Sequence, residues 1–194
     1  MGEMRERMLR GELYISDDAE NAAEFARVQE LLARFNGSAP GAWDERDALL
    51  RETLRDVGEG VVVLPRFHCE YGAISIGERT FVNVDAVMLD VAPITIGAAC
   101  QIATRVQLLT AAHPIDPEPR RLGWEYAEPI TIADNVWLCG GAIVCPGVTV
   151  GRDTVVGAGA VVTRDLPAGV VAGGVPARVL REIGEADRVE VPTA

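Results

Sequence analysis

The chain has 194 residues, 48% of them hydrophobic, with 20 glycines and a formal net charge of −11. That length suits one domain and a small appendage. The acidic balance excludes a general nucleic-acid binder, which needs a basic face. No run of about 18 apolar residues occurs, so no membrane span is expected. The charged N-terminus "MGEMRERMLRGE" lacks the apolar core of a signal peptide, and a cytoplasmic location is the expectation. The four cysteines, Cys69, Cys100, Cys139 and Cys145, form no CxxC pair. With 2 histidines in the chain, no usual zinc set can be completed, so free thiols and no metal are expected.

Residues 1–58 read as a helical segment. Asp17 followed by Glu20 predicts a capping box before "NAAEFARVQELLARF". Ala22, Phe25, Ala26 and Leu32, with Val28, Leu31 and Phe35, supply an apolar face. "NG" at Asn36–Gly37 predicts its end. A second helix carries Trp43, Leu50, Leu54 and Val57 and is expected to stop at Gly58. Two helices this short need a further surface to pack on.

From there the rhythm changes. Ile132, Leu138, Val144, Val150, Val156 and Val162 follow one another at intervals of six. Four residues after each comes Val136, Ala142, Val148, Thr154, Ala160 and Leu166, mostly small or β-branched. Upstream the same phase runs through Ile76, Val82 and Met88, then slips by two to Ile96, Ile102 and Leu108. A period of six fits neither a helix nor an alternating strand. It predicts a hexapeptide solenoid, a mainly β fold in which three hexads make one coil of a triangular prism. The aliphatic residue points inward, the small one sits near a corner, and Gly in "IG", "VG" and "PG" is expected to permit the corner backbone. The matched hexads predict four coils, with a distorted fifth over 60–75. The expected organisation is a helical segment 1–58, a parallel β-helix 59–168 and a tail 169–194. Known hexapeptide solenoids coil left-handed, and a left-handed β-helix is expected here.

The phase breaks once more after "LLTAAHPIDPEP". His113 ends the hexad that starts at Leu108. The following 114–131 holds four prolines and no aliphatic six-spacing, and the phase then resumes. An excursion that leaves and returns at one corner is predicted, able to wall off a cleft beside His113. A neutral imidazole there is suited to take a proton from a hydroxyl at physiological pH. His68 is expected to be structural.

These motifs resemble the maltose and galactoside O-acetyltransferase family, which includes nodulation acetyltransferases. The resemblance rests on "GELY" at 11–14, "VMLDVAPITIG" at 87–97, "AAHPIDP" at 111–117, "PITIADNVWLCGGAIVCPGVTVG" at 129–151 and "GGVPARVLREI" at 173–183. It implies acetyl-CoA as co-substrate, a sugar or other hydroxyl acceptor, and His113 as general base. By the same match Asn83 contacts the reacting centre. Asp17, Glu70, Asn83 and Asp90 match, or lie beside, acceptor-contacting positions, though Asp17 is equally suited to cap its helix. Gly140, Ala158, Thr163 and Arg164 match the CoA contacts, and Arg178 and Arg181, three apart, suit the 3′-phosphate and pyrophosphate, making 169–194 a CoA-binding tail. Family members more often carry Lys at the position of Arg164. At Val91 the sequence departs from the galactoside type, which has a second Asp after the one matching Asp90; this favours the maltose type.

Counting hexads puts His113 and Asn83 at different corners. They meet only if subunits pack side by side, which agrees with the trimers of the family and predicts sites between subunits. The metal-dependent carbonic anhydrase type on the same solenoid needs three His ligands and is excluded. Transfer to a galactoside, a lipochito-oligosaccharide, an antibiotic or serine stays open, as does a non-catalytic scaffold, which would need neither His113 nor the "GVPAR" tail.

Overall fold

The computed structural model describes residues 2–192. Three helices lead the chain: α1 (Glu3–Leu9), α2 (Ala19–Asn36) and α3 (Trp43–Thr53). Short strands then wind about one axis and stack into three parallel sheets, the faces of a prism. Face one holds Asp56–Val57, Ile74–Ile76, Ile94–Ile96, Ile130–Ile132 and Thr149–Val150. Face two holds Val62–Val63, Phe81–Val82, Gln101–Ile102, Trp137–Leu138, Val155–Val156 and Val170–Gly174. Face three holds His68–Cys69, Val87–Leu89, Gln107–Leu109, Ile143–Val144 and Val161–Val162. Five turns therefore close and a sixth begins. The last strand, Ala177–Glu182, folds back antiparallel on Val170–Gly174. Among the described residues no helix is long and apolar enough to cross a membrane.

The inward residues stack in columns. Ile76, Ile96, Ile132 and Val150 are in register on face one, Val82, Ile102, Leu138 and Val156 on face two, and Met88, Leu108, Val144 and Val162 on face three. All are at most 2% exposed. Full burial of such a side chain contributes about 1.5–3 kcal/mol, and the columns together make the core. Cys69 and Cys100 are buried in the same core, and burial raises both thiols above their usual pKa.

The solenoid begins earlier than its predicted start at 59. Val57 is the inward residue of the first turn, paired with Ile76. Helix α3 accordingly ends at Thr53, not at Gly58. The tail is not separate either, since Val170–Gly174 continues face two. Helix α2 ends at Asn36 as expected, but Gly37 keeps a right-handed φ of −88°. Asn36 itself makes the junction: its Oδ1 accepts from the N–H groups of Arg66 and Phe67, and its Nδ2 donates to the Phe67 carbonyl. Val28, Leu31, Leu32 and Phe35 of α2, with Leu49 and Leu50 of α3, join the core at the first turn. Trp43 and Phe25 stay exposed, at 55% and 39%.

The glycines at the corner between faces one and two work differently from expectation. Gly58, Gly77, Gly97 and Gly151 do not have positive φ. A Cβ on Gly77 would lie 2.5 Å from the backbone of Ala98, and one on Gly97 would lie 2.6 Å from the Asp134 nitrogen. The next turn passes too close for a side chain. The left-handed residue comes two positions later, at Gly60, Arg79, Ala99, Asn135 and Asp153.

The six-residue interval never varies across two corners. From face one to two it joins Val57 to Val63, Ile76 to Val82, Ile96 to Ile102, Ile132 to Leu138 and Val150 to Val156. From face two to three the steps from Val63 to Cys69 and onwards are equally regular. From face three to one it does vary. The step is seven from Cys69 to Ile76, eight from Met88 to Ile96, twenty-four from Leu108 to Ile132, and four from Val162 to Leu166. The long step is the excursion, and it has structure of its own. Ala111–Ala112 pairs antiparallel with Tyr126–Ala127, and a short helix, α4 (Pro117–Arg121), lies between.

Gly97→Ala should lower the melting temperature by about 3–10 °C, because the neighbouring turn cannot withdraw. Ala133→Gly, at the same corner, should change it by about 4 °C at most. Equal melting temperatures for wild type and Gly97→Ala would refute the steric account of this column.

Candidate active site

All three lengthened steps fall at the corner between faces three and one, and their side chains converge on one cleft of about 470 Å³. Glu70 comes from the first step, Val91 from the second, and His113 and Glu125 from the excursion. Helix α2 and the segment before it close the cleft with Ser16, Asn21 and Phe25. Tyr14 ties the two sides together. Its N–H donates to the Glu125 carbonyl and its carbonyl accepts from the Glu125 N–H, each at 3.0 Å. Tyr14 is 1% exposed, and burial followed by the Glu125 charge raises its phenol well above the usual range. The Arg7 guanidinium lies 5.8 Å from the Trp124 ring centre and its Nε donates to the Leu13 carbonyl, so α1 holds the same junction.

His113 stands at the mouth with its side chain 56% exposed. Its Nδ1 lies 3.4 Å from the Trp124 carbonyl oxygen. A carbonyl only accepts, so this contact favours the tautomer protonated on Nδ1 and leaves a lone pair on Nε2. Nε2 is 3.9 Å from the Glu125 carboxylate.

Asp90 departs from the sequence expectation. It is fully buried and does not reach the cleft. Its Oδ1 accepts from the N–H groups of Glu70 and Tyr71, and its Oδ2 from that of Ala73. Desolvation raises its pKa while these bonds oppose the rise. Asp90 therefore shapes the extra residue of the first lengthened step and positions Glu70. Asp17 is also displaced from its expected place. It is exposed and outside the cleft lining, and the helix cap is Asp18, whose carboxylate accepts from the Glu20 N–H at 2.9 Å. Ser16 takes the lining position. Glu70 does line the cleft, and burial, then Asp90 and Glu125, push its carboxyl up to about 7.

Asn83 sits elsewhere, at the corner between faces two and three. Its Oδ1 accepts from the Val84 N–H at 2.8 Å, so its NH2 is the group it can offer a ligand. It lines a shallow depression with Phe81, Gln101 and Trp137. Gly140 and Ala158 lie at this same corner in the turns above, where the Gly159 N–H donates to the Gly140 carbonyl. Thr163 and Arg164 follow face three, at the His113 corner, and both are exposed. Arg178 is exposed on the last strand, where it donates to the Ala177 carbonyl. Arg181 is held by Asp187 through two bonds of 2.7 Å, which lower that carboxyl to about 2. The residues thus divide between two edges of one prism. His68 forms part of face three, in register with Val87. Among the described residues no group of three or more His, Cys, Asp or Glu side chains is placed to hold a metal.

Tyr14, Asn21, Phe25 and Glu125 also line the cleft; the sequence marks Tyr14 only within "GELY" and Phe25 only on an apolar helix face, and it marks Asn21 and Glu125 not at all. The signal for the cleft was the set of phase slips, since each marks a step that carries extra chain to this corner.

Comparison with known proteins agrees with this architecture. Residues 7–58 match the maltose acetyltransferase hexapeptide capping motif, and residues 129–164 match the bacterial transferase hexapeptide repeats. Nodulation protein L of Rhizobium meliloti is 46% identical over 176 residues, which span 90% of this chain and 96% of that protein. A maltose O-acetyltransferase from Clostridium difficile superimposes with a TM-score of 0.92 at 40% identity, covering 94% of this chain and 98% of the other. A galactoside acetyltransferase in complex with coenzyme A gives 0.93 at 38% identity, covering 96% and 94%. The chain belongs to the maltose and galactoside O-acetyltransferase family of hexapeptide-repeat proteins.

The raised pKa of Glu70 has a thermodynamic sign. The folded state disfavours its ionised form, fully above about pH 7 and not at all below the usual value of 4.5. Glu70→Gln should therefore raise the melting temperature at pH 8 by about 3–6 °C, after allowance for partial exposure. The gain should fade as pH falls towards 4.5. A variant with no gain at pH 8 would show that the carboxylate sits there without penalty.

Proposed function

We propose that the protein transfers an acetyl group from acetyl-CoA to a hydroxyl of a sugar such as maltose or glucose. The observation that carries this reading is the His113 imidazole, set by the Trp124 carbonyl so that Nε2 has its lone pair beside a polar cleft. In a family of acetyltransferases that is the geometry of a general base. Nε2 takes the proton of the acceptor hydroxyl as its oxygen attacks the thioester carbon. The tetrahedral intermediate collapses, the C–S bond breaks, and the imidazolium returns the proton to the departing thiolate. Product ester and CoA thiol leave, and no covalent enzyme intermediate is needed.

Asn83 is the donor proposed for the developing oxyanion, through the NH2 left free by its bond to Val84. It and His113 occupy different edges, so the site is assembled between two subunits of a closed trimer. CoA runs along the same junction. Gly140 and Ala158 come from the Asn83 edge, and Thr163 and Arg164 from the His113 edge. Arg178 and Arg181 serve the phosphates. Glu70 serves the acceptor. Val91 lines the cleft without offering a hydrogen bond, which supports a maltose-type over a galactoside acceptor.

His113→Ala should lower kcat by about 10²–10⁴ with little change in melting temperature, measured by thiol release from acetyl-CoA with maltose or glucose. Activity within a few-fold of wild type would remove the base assignment. The shared site has its own test. Chains carrying His113→Ala and chains carrying Asn83→Ala are unfolded together and refolded as an equal mixture. About a quarter of the sites should regain both groups if neighbours share them; background activity from well-mixed trimers would sink the shared-site arrangement.

The two tail arginines should differ. Arg178→Ala should raise KM for acetyl-CoA about 10–100-fold and leave KM for the acceptor within about twofold. Arg181→Ala should do less, because Asp187 already occupies that guanidinium. Identical losses for acetyl-CoA and its dephospho analogue with Arg178→Ala would take the 3′-phosphate away from this residue.

A further inference from the structure

Two buried side-chain polar atoms among the described residues are without a partner: Nδ2 of Asn21 and Oε2 of Glu70. One is a donor and the other an acceptor. They come from sequence positions far apart, and both residues line the cleft that His113 overlooks. Asn21 lies in the first turn of α2 and is 1% exposed. Its amide orientation is fixed. The Arg5 guanidinium donates to Oδ1 at 2.6 Å, and a guanidinium cannot accept. The oxygen is therefore committed to Arg5, and the NH2 is directed away from it. A buried donor left unmet is costly, and an aliphatic side chain at a buried position of α2 would carry no such cost.

The chemistry of a suitable ligand follows from the pair. An ammonium group satisfies Glu70 but not Asn21. A carboxylate or phosphate satisfies Asn21 but meets the Glu70 and Glu125 charges. A hydroxyl can donate to one and accept from the other, and neighbouring hydroxyls on one ring can divide the task. Phe25 and Tyr71, packed edge to face with ring centres 6.3 Å apart, add an apolar wall for the C–H face of such a ring.

We propose that Asn21, oriented by Arg5, determines acceptor specificity by donating to an oxygen of a polyhydroxy acceptor while Glu70 accepts from a hydroxyl beside it. The group read in this way is not the hydroxyl that is acetylated. This rests on the reading of the cleft as a sugar site of an acetyltransferase, and it assigns a role to a residue outside the hexapeptide turns.

The test compares wild type with Asn21→Leu, using acetyl-CoA with glucose and each of its monodeoxy analogues. Wild type should discriminate against the analogue lacking the oxygen that Asn21 reads, beyond any lacking the acetylated hydroxyl or the one that Glu70 reads, by about 10²–10³ in kcat/KM. Asn21→Leu should lose about 10–100-fold on glucose. Its discrimination against that analogue should collapse to within a few-fold. Its KM for acetyl-CoA should stay within about twofold and its melting temperature should be equal or higher. Retained discrimination against every analogue would overturn the proposal. So would a lower melting temperature with equal loss on all acceptors, which is the signature of a structural residue.

Calorimetric titration of glucose onto both proteins without acetyl-CoA separates this from the failure of the transfer reading. Binding to wild type that Asn21→Leu loses would support the subsite even if no acetyl group moves. Absence of both binding and transfer in wild type would overturn both readings. Binding to wild type that Asn21→Leu retains unchanged would overturn the Asn21 assignment alone.

Discussion

Backbone hydrogen bonds between successive turns hold this molecule in register, and every other feature answers to them. The Gly77 N–H reaches the Ile96 carbonyl at 2.8 Å, and the Gly97 N–H reaches that of Ile132 at the same distance. At Gly58, Gly77, Gly97 and Gly151 the neighbouring turn leaves no room for a Cβ, whereas Ala133 of the same column carries one above its 2.9 Å bond to Val150. The ladder sets more than this corner. It stacks the inward aliphatics in columns and repeats a left-handed residue at each turn of the corner between faces one and two. A turn that kept its ladder but changed its length at such a corner would lose the column beneath it. Length varies between faces three and one, where three steps swing outward and one, from Val162 to Leu166, is cut short.

That constraint decides where the cleft beside His113 sits. A regular prism offers flat faces and little more than a depression such as the one beside Asn83. Lengthened steps at a single edge build walls, and the N-terminal helices supply the remaining side. The Tyr14 bridge to Glu125 fixes the excursion to the segment that precedes α2, so the wall is anchored at both ends. Asp90 shows the same logic at smaller scale. A buried carboxylate that accepts three backbone N–H groups is a means of holding one inserted residue in place, and Glu70 owes its position to it.

Much of this was legible in the sequence. The interval of six from Ile132 to Val162 has no other reading, and it placed the inward residue of every matched turn. The first turn was missed in part because Val57 suits a helix face as well as it suits a strand, and only pairing with Ile76 decides between them. The position of His113 beside an excursion was legible because the phase fails immediately after it. Asp90 was misplaced because a motif records that an acid is present and not which way it faces. Asp17 and Asp18 are adjacent carboxylates of nearly equal capping power, and the choice between them depends on where α2 starts. Asn21 carried no pattern at all. Its significance is that a donor is buried and unmet, which is a property of three-dimensional surroundings.

The face three to face one edge also contains one step of ordinary length, from Val144 to Val150. It lies in the same row as the steps that build the cleft but adds no wall. For protein engineering the solenoid thus resembles a rack with one unfilled slot. A segment grafted between these residues would leave both invariant corners intact and would emerge beside the existing excursion. The wall along this edge could then be extended by changing loop length, while the residues that pack the prism are left as they are.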